Sequence, residues 1–479
     1  VAAAEAGAVT VAGASVSIAD LARRRRTRLS NGIRIETLPE PMHLVSFEVR
    51  DSETGVLTPS RVHARTRQGR YLPPVGHRQE VNDSWFEDYA ADLKLGRTQY
   101  AYVPGSFQIR LPAGDVFLEV VKGFEYEPVR LVVKAGAISA DPVVVHLELT
   151  NDVRRQGWIA ADTHVHFLSP ETAWLEAQAE GLSIVNLLAA QWGDLYTNVG
   201  DVTGELSPVS RDGTLVWVGT ENRQHILGHL SLLGTNGRIT APLSSAGPDE
   251  AYLGDAAWTS LSEWADDSRR RGGLAVVPHF PNPYCEVVAD VALGRVDALE
   301  VRDFWAGVDS YATREWYKML NSGLRVPIVG GTDKMSAGMP VGGLRTYAQV
   351  GAGPTSWEGW TDAVRSGRTS TSSGPFIDLS VEGVGLGGEI AIGPGASLDV
   401  HATARCMAPL DRLELVYNGK VVEATTEPRG DRSLELKTTI RASRGGWIAA
   451  RTSSPFVAQH VWPVQMAAHT SPIYLVGDR

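Results

Sequence analysis

The sequence predicts an α/β protein in which a βα barrel lies between two β-sandwich domains. Alternating strand patterns fill residues 42–149, strands alternate with helices from residue 157 to about 365, and short strands return after residue 374. The chain of 479 residues is also too long for one ordinary core. We therefore expect four parts: an extended N-terminal arm (1–41), an N-terminal β-sandwich with an aromatic insertion (42–150), the barrel (151–373) and a C-terminal β-sandwich (374–479).

The N-terminal arm lacks clear periodicity and ends with Pro39 and Pro41, which favour an extended backbone. The sandwich that follows has the alternation and turn residues of β-strands at 43–50, 107–111, 116–121, 129–133 and 143–149. A long insertion between residues 71 and 102 is rich in aromatic residues, namely Trp85, Phe86, Tyr89, Tyr100 and Tyr102. It is expected either to pack against the next domain or to cover the mouth of the barrel.

The central region alternates apolar strands with helices. An apolar run begins at Trp158, and further strands are predicted at 182–188, 215–219, 229–233, 274–279, 298–301 and 326–331. Helices are predicted at 171–181, 261–272, 287–293, 310–320 and 357–365. About seven strands that alternate with helices predict a βα barrel, slightly short of the eightfold form.

The C-terminal region has short strands that Gly and Pro turns separate. They are predicted at 377–381, 398–404, 413–417, 434–440, 446–452 and 473–476. Trp447 and Trp462 are expected to be core or interface aromatics. This pattern favours a second β-sandwich.

Composition narrows the range of partners. A net charge of −10 argues against general nucleic-acid binding, and no apolar run reaches the length of about 18 residues that a membrane span needs. Two distant cysteines, Cys285 and Cys406, make no disulfide framework. The compartment stays open, either cytoplasmic or exported with the signal removed, because the chain begins with Val1. The oligomeric state is equally open, and a small molecule is the expected substrate.

Two histidines end the first apolar run of the central region. In a strand the side chains repeat every second position, so His164 and His166 leave the sheet on the same side. At the end of a buried strand, both imidazoles can reach one metal ion. Asp162 has the same parity and is expected to accept the second ring proton of a histidine.

Four more potential ligands lie near the ends of predicted strands, where a βα barrel has its active face. Glu221, His279 and Asp333 each follow or close a strand, and His229 lies where the chain turns back after Glu221. Mixed imidazole and carboxylate ligation suits zinc, manganese or iron, and a shared carboxylate can bridge two ions. We therefore expect one or two divalent metal ions, with zinc favoured.

Other polar residues near these positions have two interpretations each. Lys334 and Arg345 either stabilise an oxyanion or are structural ion-pair partners, and Arg223 and Arg302 have the same alternatives. His225 precedes His229 by four residues. We expect it to support the site or to contact the substrate rather than to bind a metal.

The motifs at these positions resemble the ordered motifs of the polymerase and histidinol phosphatase (PHP) metal-dependent hydrolases. They lie at residues 162–166 (Asp-Thr-His-Val-His), 219–221 (Gly-Thr-Glu), 228–229 (Gly-His), 278–279 (Pro-His) and 331–333 (Gly-Thr-Asp). Within that superfamily the chain is most similar to the CehA/McbA branch, whose type member hydrolyses a carbamate ester. The likeness covers about residues 157–370.

This resemblance implies a distorted seven-stranded barrel and two metal positions. The first metal would be held by His164, His166, Glu221 and Asp333. The second would be held by Glu221, His229 and His279.

The chain departs from the three-metal pattern of the superfamily at two places. Members with three metals usually carry Asp-His after the second strand and Asp-x-His at the end, where this chain has Gln191-Trp192 and Asp333-Lys334-Met335. Neither Trp192 nor Met335 is a ligand for a hard divalent metal, so the third site is expected to be missing.

These residues together predict a hydrolase that uses a metal-activated water to cleave an ester, amide or carbamate bond. Asp333 or the bridging Glu221 would orient the water, and Lys334 or Arg345 would steady the oxyanion. A phosphoesterase on the same metal site is the alternative within this class. A non-catalytic binding module with a degenerate barrel is the alternative outside it, but an abandoned site has no need for desolvated acids and histidines.

Overall fold

The computed structural model describes residues 7–24, 26–36, 42–84, 91–134, 141–245, 250, 258–281, 285–302, 310–457 and 465–477. Within these ranges the chain is mostly β-strand in several sheets. The chain therefore contains more strand and less helix than an α/β protein was expected to have. Most of its helices lie in the central region, and the flanking regions are almost wholly β-strand. Some residues that the sequence singled out lie outside the described ranges, namely Pro39, Pro41, Trp85, Phe86, Tyr89 and Trp462.

The N-terminal arm is folded, which differs from the extended arm expected. Two hairpins flank a short helix, and a small apolar cluster of Ala14, Val16, Leu21 and Leu29 holds them together. The helix begins at Ser17, whose side chain accepts a hydrogen bond from the Asp20 amide. The elements are β1 (Ala8–Val11), β2 (Ala14–Ser17), α1 (Ile18–Arg23), β3 (Arg26–Arg28) and β4 (Arg34–Glu36).

The next region contains two sheets that share one apolar core, as a β-sandwich requires. Its strands are β5 (Met42–Asp51), β6 (Ser60–Thr66), β7 (Asp92–Leu95), β8 (Thr98–Val103), β9 (Ser106–Pro112), β10 (Asp115–Val121), β11 (Val129–Lys134) and β12 (Val143–Leu147). The sheet orders are β11-β10-β6-β8-β7 and β12-β5-β9. Val45, Phe47 and Val49 show the expected alternation, because every second residue of β5 is buried.

The central region holds the strands and helices that position the candidate site. In chain order they are β13 (Trp158–Val165), α2 (Pro170–Ala179), β14 (Ile184–Trp192), β15 (Leu195–Thr197), β16 (Leu215–Gln224), β17 (Gly228–Leu233), α3 (Leu261–Arg270), β18 (Leu274–Phe280), α4 (Val287–Ala292), β19 (Ala298–Val301), α5 (Tyr311–Asn321), β20 (Ile328–Val329), β21 (Arg345–Gln349), α6 (Trp357–Arg365) and β22 (Thr369–Ser372). The predicted helices of this region are all present, with ends shifted by at most two residues.

Serine residues fix where several of these helices begin. Ser169, Ser260, Ser310 and Ser356 each accept a backbone hydrogen bond from the first turn of the helix that follows. At α3 the cap is reciprocal, because the Glu263 side chain accepts from the Ser260 amide. Serine N-caps therefore mark in the sequence where these helices begin in the structure.

The central sheet is mixed, whereas the strand pattern had indicated parallel strands. β13, β14 and β16 are parallel, and so are β18, β19 and β20, but β17 is antiparallel to both β16 and β18. The link from β16 to β17 is too short for the crossover that a parallel pair needs. β21 is also antiparallel to β13.

The two ends of the central sheet approach each other beside the predicted histidines. The amide of Asp333, which follows β20, donates to the His164 carbonyl over 2.8 Å, and the His166 amide donates to the Lys334 carbonyl over 2.9 Å. These bonds form a parallel bridge between the end of β13 and the chain beyond β20. The sheet is therefore strongly curved, and the predicted seven-stranded barrel stays a prediction.

The C-terminal region is bonded to the central sheet. Its strands are β23 (Phe376–Val381), β24 (Glu389–Ala391), β25 (Ala396–Tyr417), β26 (Lys420–Ala442), β27 (Gly446–Val457), β28 (Gln465–Thr470) and β29 (Ile473–Val476). β22 pairs with β28, so hydrogen bonds cross the boundary predicted at residue 373. β25 and β26 form one long hairpin, and the predicted break in β25 is a register shift between Arg405 and Leu410.

No helix in the described part of the chain is long and apolar enough to cross a membrane.

Candidate metal centre

Six side chains that the sequence singled out meet at one end of the central sheet. His164 lies on β13, Glu221 on β16, His229 on β17 and His279 on β18, while His166 and Asp333 directly follow β13 and the β20 segment. Their ligand atoms form two groups, each within 4.8 Å: His164, His166 and Asp333, and Glu221, His229 and His279. Positions spread over the whole central region are thus brought to one point.

The ring nitrogens of His164 and His166 have a defined protonation pattern. His164 Nδ1 lies 3.2 Å from a Glu300 oxygen, and His166 Nδ1 lies 3.1 Å from the Leu188 carbonyl oxygen. Both partners only accept hydrogen bonds, so each Nδ1 carries a proton, and a neutral ring would present a lone pair at Nε2. The two Nε2 atoms are 2.9 Å apart. Without a metal ion, a proton on one Nε2 atom can bridge the pair; with a metal ion, both lone pairs are free to bind it.

Asp333 and Glu221 direct carboxylate oxygens to the same point. Asp333 Oδ1 lies 3.4 Å from His164 Nε2, and Glu221 Oε2 lies 3.4 Å from His166 Nε2. Asp333 Oδ1 is buried and has no hydrogen-bond partner among the described residues, whereas Oδ2 lies 3.0 Å from the Arg302 guanidinium. Two imidazole lone pairs and two carboxylates are a ligand set for a divalent cation such as zinc or manganese. The residues present therefore fit a metal ion.

Electrostatics at this point favour positive charge. Burial disfavours the charged form of His164, but the neighbouring carboxylates, led by Asp333, raise its pKa to about 9. Burial also disfavours ionisation of Glu221, yet Arg223 and the adjacent histidines hold the pKa of this carboxyl well below its usual range. The cluster thus keeps its acids ionised and attracts a cation.

Glu221 connects the first group to the second. Its Oε1 atom lies 3.1 Å from His229 Nδ1 and 3.3 Å from His279 Nε2, while its Oε2 atom faces His166. His229 Nδ1 and His279 Nε2 are 3.3 Å apart. Burial lowers the pKa of His229 to about 4, so this ring is neutral and able to bind a metal at neutral pH. One carboxylate between two histidine groups is the arrangement of a bridging ligand.

A third group of His225, His229 and Glu250 also has ligand atoms close together. The Arg223 guanidinium lies 3.3 Å from Glu250 and 2.8 Å from Glu221, so its charge does not distinguish this group from the others. The group fits a cation less well because His229 is shared with the second group, and a neutral imidazole has only one lone pair to give. His225 Nδ1 lies 3.4 Å from His229 Nε2 and its side chain is 52% exposed, which suits the supporting role expected for it.

Two of the six residues have a strained backbone. His279 and Asp333 have φ angles of 36° and 53°, in the left-handed region that non-glycine residues seldom adopt. Such strain of about 1–3 kcal/mol persists where the surroundings impose it, often at functional sites. Gly331 is equally constrained, since a Cβ atom there would lie 2.4 Å from Thr163 Oγ1 and 2.6 Å from Glu300 Oε2. The chain before Asp333 therefore passes directly against the first histidine.

Lys334 and Arg345 lie elsewhere than the predicted oxyanion role requires. Lys334 Nζ is buried, donates to the carbonyls of Ser336 and Met339, and lies 3.6 Å from the Glu176 carboxylate. Arg345 is also buried. It donates to the carbonyls of Gly342 and Glu180, lies 3.5 Å from Glu125, and stacks on Phe124. These contacts are those of structural ion-pair partners, the alternative left open by the sequence.

Asp162 differs from its expected role as well. Its carboxylate accepts from the backbone amides of His164, Thr332 and Gly342 and from the Thr332 hydroxyl, and no described bond joins it to a histidine ring. Despite those bonds, burial raises the pKa of Asp162 to about 6. Asp162 thus ties β13 to the segment that precedes Asp333.

Glu300 has the role that was expected of Asp162, and the sequence reasoning missed it. It is fully buried on β19, contacts His164 Nδ1, and accepts from the His279 amide and the Arg302 side chain. Although burial opposes ionisation, the charges of His164 and Arg302 lower its pKa to about 2. A single acid in the apolar segment 298–301 was the available signal.

Trp192, which stands where the resemblance would place a histidine ligand, lies beside the cluster. The Trp192 ring packs edge-on against His166 at 5.0 Å and stacks on Phe167 at 5.1 Å. The Arg223 guanidinium lies over its other side at 4.9 Å. Trp192 therefore forms a wall of the cluster.

Comparisons with known proteins leave the family open. No protein-family model matches the sequence, and no curated protein matches it significantly. Among solved structures, the chain is similar to PsfC from Pseudomonas syringae PB-5123, with 19% identity over 45% of this chain and 91% of that one, and a TM-score of 0.31. It is also similar to the lesion-specific endonuclease PfuEndoQ from Pyrococcus furiosus, with 15% identity over 43% of this chain and 56% of that one, and a TM-score of 0.29. Both scores are too low to assign a fold or a function.

Proposed function

We propose that this chain is a metal-dependent hydrolase of the PHP superfamily, with one or two divalent ions, zinc first, at the six predicted ligands. The observation that carries the proposal is the convergence of acceptors: the Nε2 lone pairs of His164 and His166, 2.9 Å apart, together with the buried Asp333 Oδ1 atom that has no described hydrogen-bond partner. A divalent cation would satisfy all of these atoms together. The approach of the Asp333 segment to β13 supports a distorted barrel.

The ligands divide into two positions in this proposal. His164, His166, Glu221 and Asp333 would hold the first ion, and Glu221, His229 and His279 the second. A divalent cation held there supplies Lewis-acid polarisation of the scissile bond and lowers the pKa of water.

Asp333 is the cluster carboxylate best placed to orient the attacking water. Its side chain is 18% exposed, whereas the Glu221 side chain is 1% exposed, so only the first can face both the cluster and a substrate. Arg302 holds Asp333 Oδ2 at 3.0 Å, which leaves Oδ1 directed to the cluster. Glu221 is then mainly a bridging ligand.

For the reaction, we put hydrolysis of an ester, amide or carbamate bond of a small molecule first, because it needs only a polarised carbonyl and an activated water. The CehA/McbA likeness of the motifs points in the same direction. A phosphoester is the second candidate. It is favoured by the two guanidinium groups of Arg223 and Arg302, which border the cluster and could balance the charge of a phosphoryl group.

Metal content and substrate panels test this proposal. Purified wild-type protein should contain one or two equivalents of zinc or manganese by elemental analysis, and His166→Ala should lose most of it. His63→Ala is the matched control, because His63 lies on β6 in the N-terminal sandwich. Activity restored by added zinc on carboxyl-ester, amide or carbamate substrates supports the first candidate, and activity only on phosphoesters supports the second. Protein that binds no divalent ion would contradict both.

A further inference from the structure

The loop that follows Asp333, residues 334–340, is held by a buried lysine. Lys334 is fully buried, and its ammonium donates to the carbonyls of Ser336 over 3.0 Å and Met339 over 2.8 Å. The carboxylate of Glu176, on α2 and also fully buried, lies 3.6 Å away. One charged side chain thus closes the loop on itself and pairs it with the helix.

The same residue is bonded to the histidine strand through its backbone. The Lys334 carbonyl accepts from the His166 amide at 2.9 Å, and the neighbouring Asp333 amide donates to the His164 carbonyl at 2.8 Å. The contacts of the two neighbouring side chains show that they point apart: Asp333 Oδ1 lies 3.4 Å from His164 Nε2, whereas Lys334 Nζ lies 3.6 Å from Glu176 on α2. Since Asp333 has a φ angle of 53°, its conformation depends on such outside support.

The N-terminal sandwich is bonded both to the 334–340 loop and to the end of α2. The Lys94 amide at the end of β7 donates to the Ala337 carbonyl over 2.8 Å, inside the 334–340 loop. Glu180, which directly follows α2 and lies one helical turn beyond Glu176, accepts from the Tyr102 hydroxyl over 2.9 Å and lies 3.2 Å from the buried Arg61 guanidinium. Tyr102 and Arg61 belong to the sandwich strands β8 and β6. The sandwich is therefore bonded both to the 334–340 loop and to the C-terminal end of α2.

We infer that Lys334 is a positioning residue for Asp333 and that the N-terminal sandwich acts through it as a support of the candidate metal centre. This inference rests on the proposed function, because its consequence is metal affinity. The sandwich is then a part of the active unit and not an appended binding module.

The test must separate loss of the loop contacts from the presence of an unpaired buried charge. Lys334→Met alone removes the cation that lies 3.6 Å from the buried Glu176 carboxylate, so the double variant Lys334→Met/Glu176→Gln is the informative one. The matched control is Arg451→Met/Glu414→Gln, which removes a buried ion pair between β27 and β25 in the C-terminal region.

Zinc affinity is measured by competition with a chromophoric chelator, after circular dichroism has confirmed folding. We expect the double variant to bind zinc about 10- to 100-fold more weakly than wild type, which is the usual effect of losing an outer support of a metal site. The zinc affinity of the control variant Arg451→Met/Glu414→Gln should stay within about twofold of wild type. A double variant that binds zinc as tightly as wild type would overturn the inference.

Hydrogen exchange on metal-free protein supplies a readout that does not depend on the proposed function. The His166 and Asp333 amides should exchange faster in Lys334→Met/Glu176→Gln, and at the wild-type rate in Arg451→Met/Glu414→Gln. If wild type binds no metal, the proposed function fails and the exchange result still decides the positioning role. If exchange at these amides is equal in wild type and the double variant, the positioning role fails whatever the metal result.

Discussion

Replacing Glu300 by glutamine should weaken metal binding without unfolding the protein. The Glu300 carboxylate accepts the proton of His164 Nδ1 at 3.2 Å and lies 3.1 Å from the Arg302 guanidinium. Glutamine keeps the shape and one acceptor oxygen but removes the negative charge that favours the Nδ1–H tautomer. His164 would then present its Nε2 lone pair less reliably, and Arg302 would have only Asp333 as its acid.

The expected size follows from the role of such outer partners. Loss of a carboxylate behind a metal-bound histidine commonly lowers metal affinity by 10- to 100-fold, or about 1.4–2.7 kcal/mol. Zinc affinity from chelator competition, and zinc content after dialysis against a weak chelator, measure the effect. The matched control is Glu414→Gln, because Glu414 is equally buried and pairs with Arg412 and Arg451 in the C-terminal region.

Two results would refute this reasoning. If Glu300→Gln binds zinc within about twofold of wild type, the His164 contact does not support a metal. If Glu414→Gln weakens zinc binding as much as Glu300→Gln does, the loss reflects general destabilisation. A fall in zinc affinity that is confined to Glu300→Gln shows a specific effect on the metal and not general destabilisation.

Three further predictions concern bound metal, the close approach at Gly331 and the buried His469. Stripping the metal with a chelator should lower the melting temperature, since an ion at 100 times its Kd stabilises the native state by about 2.7 kcal/mol; an unchanged melting curve would oppose a metal site. Gly331→Ala should abolish tight zinc binding, because its Cβ would lie 2.4–2.8 Å from Thr163, Glu300 and His164, and equal binding in alanine and wild-type protein would contradict this. Burial lowers the pKa of His469 to about 3. Between pH 6.5 and 3 this histidine is therefore protonated in the unfolded chain but neutral in the native state. The free energy of unfolding should fall as the pH falls through this window. Denaturant titrations of metal-free protein from pH 7 to 5 should show a steeper loss for wild type than for His469→Gln, and parallel slopes would exclude His469 as the cause.

The candidate site was predictable where one physical rule linked sequence position to direction in space. Strand parity places His164 and His166 on one side, and strand ends gather Glu221, His279 and Asp333 at one edge. These rules need no knowledge of long-range contacts. The helices were predictable for a similar reason, since their serine caps are local signals.

Residues that depend on packing were not predictable in this way. Lys334 was chosen because it adjoins Asp333, yet its side chain packs away from the cluster, 3.6 Å from Glu176. Glu300 is a lone acid in a short apolar strand, and only the fold shows that it lies behind His164. The antiparallel direction of β17 depends on a short link, which strand periodicity does not report.

The balance of charge around the cluster ties the number of metal ions to the class of substrate. The described charged side chains that contact it are four carboxylates and two guanidinium groups, namely Glu221, Glu250, Glu300, Asp333, Arg223 and Arg302. With neutral histidines, one divalent ion offsets their net charge of about two negative units, and a second leaves the centre positive. A single ion therefore suits a neutral ester, amide or carbamate, whereas two ions suit a phosphoester. Metal stoichiometry measured at full activity should agree with the preferred substrate, and a one-metal phosphoesterase would show that residues beyond this cluster set the specificity.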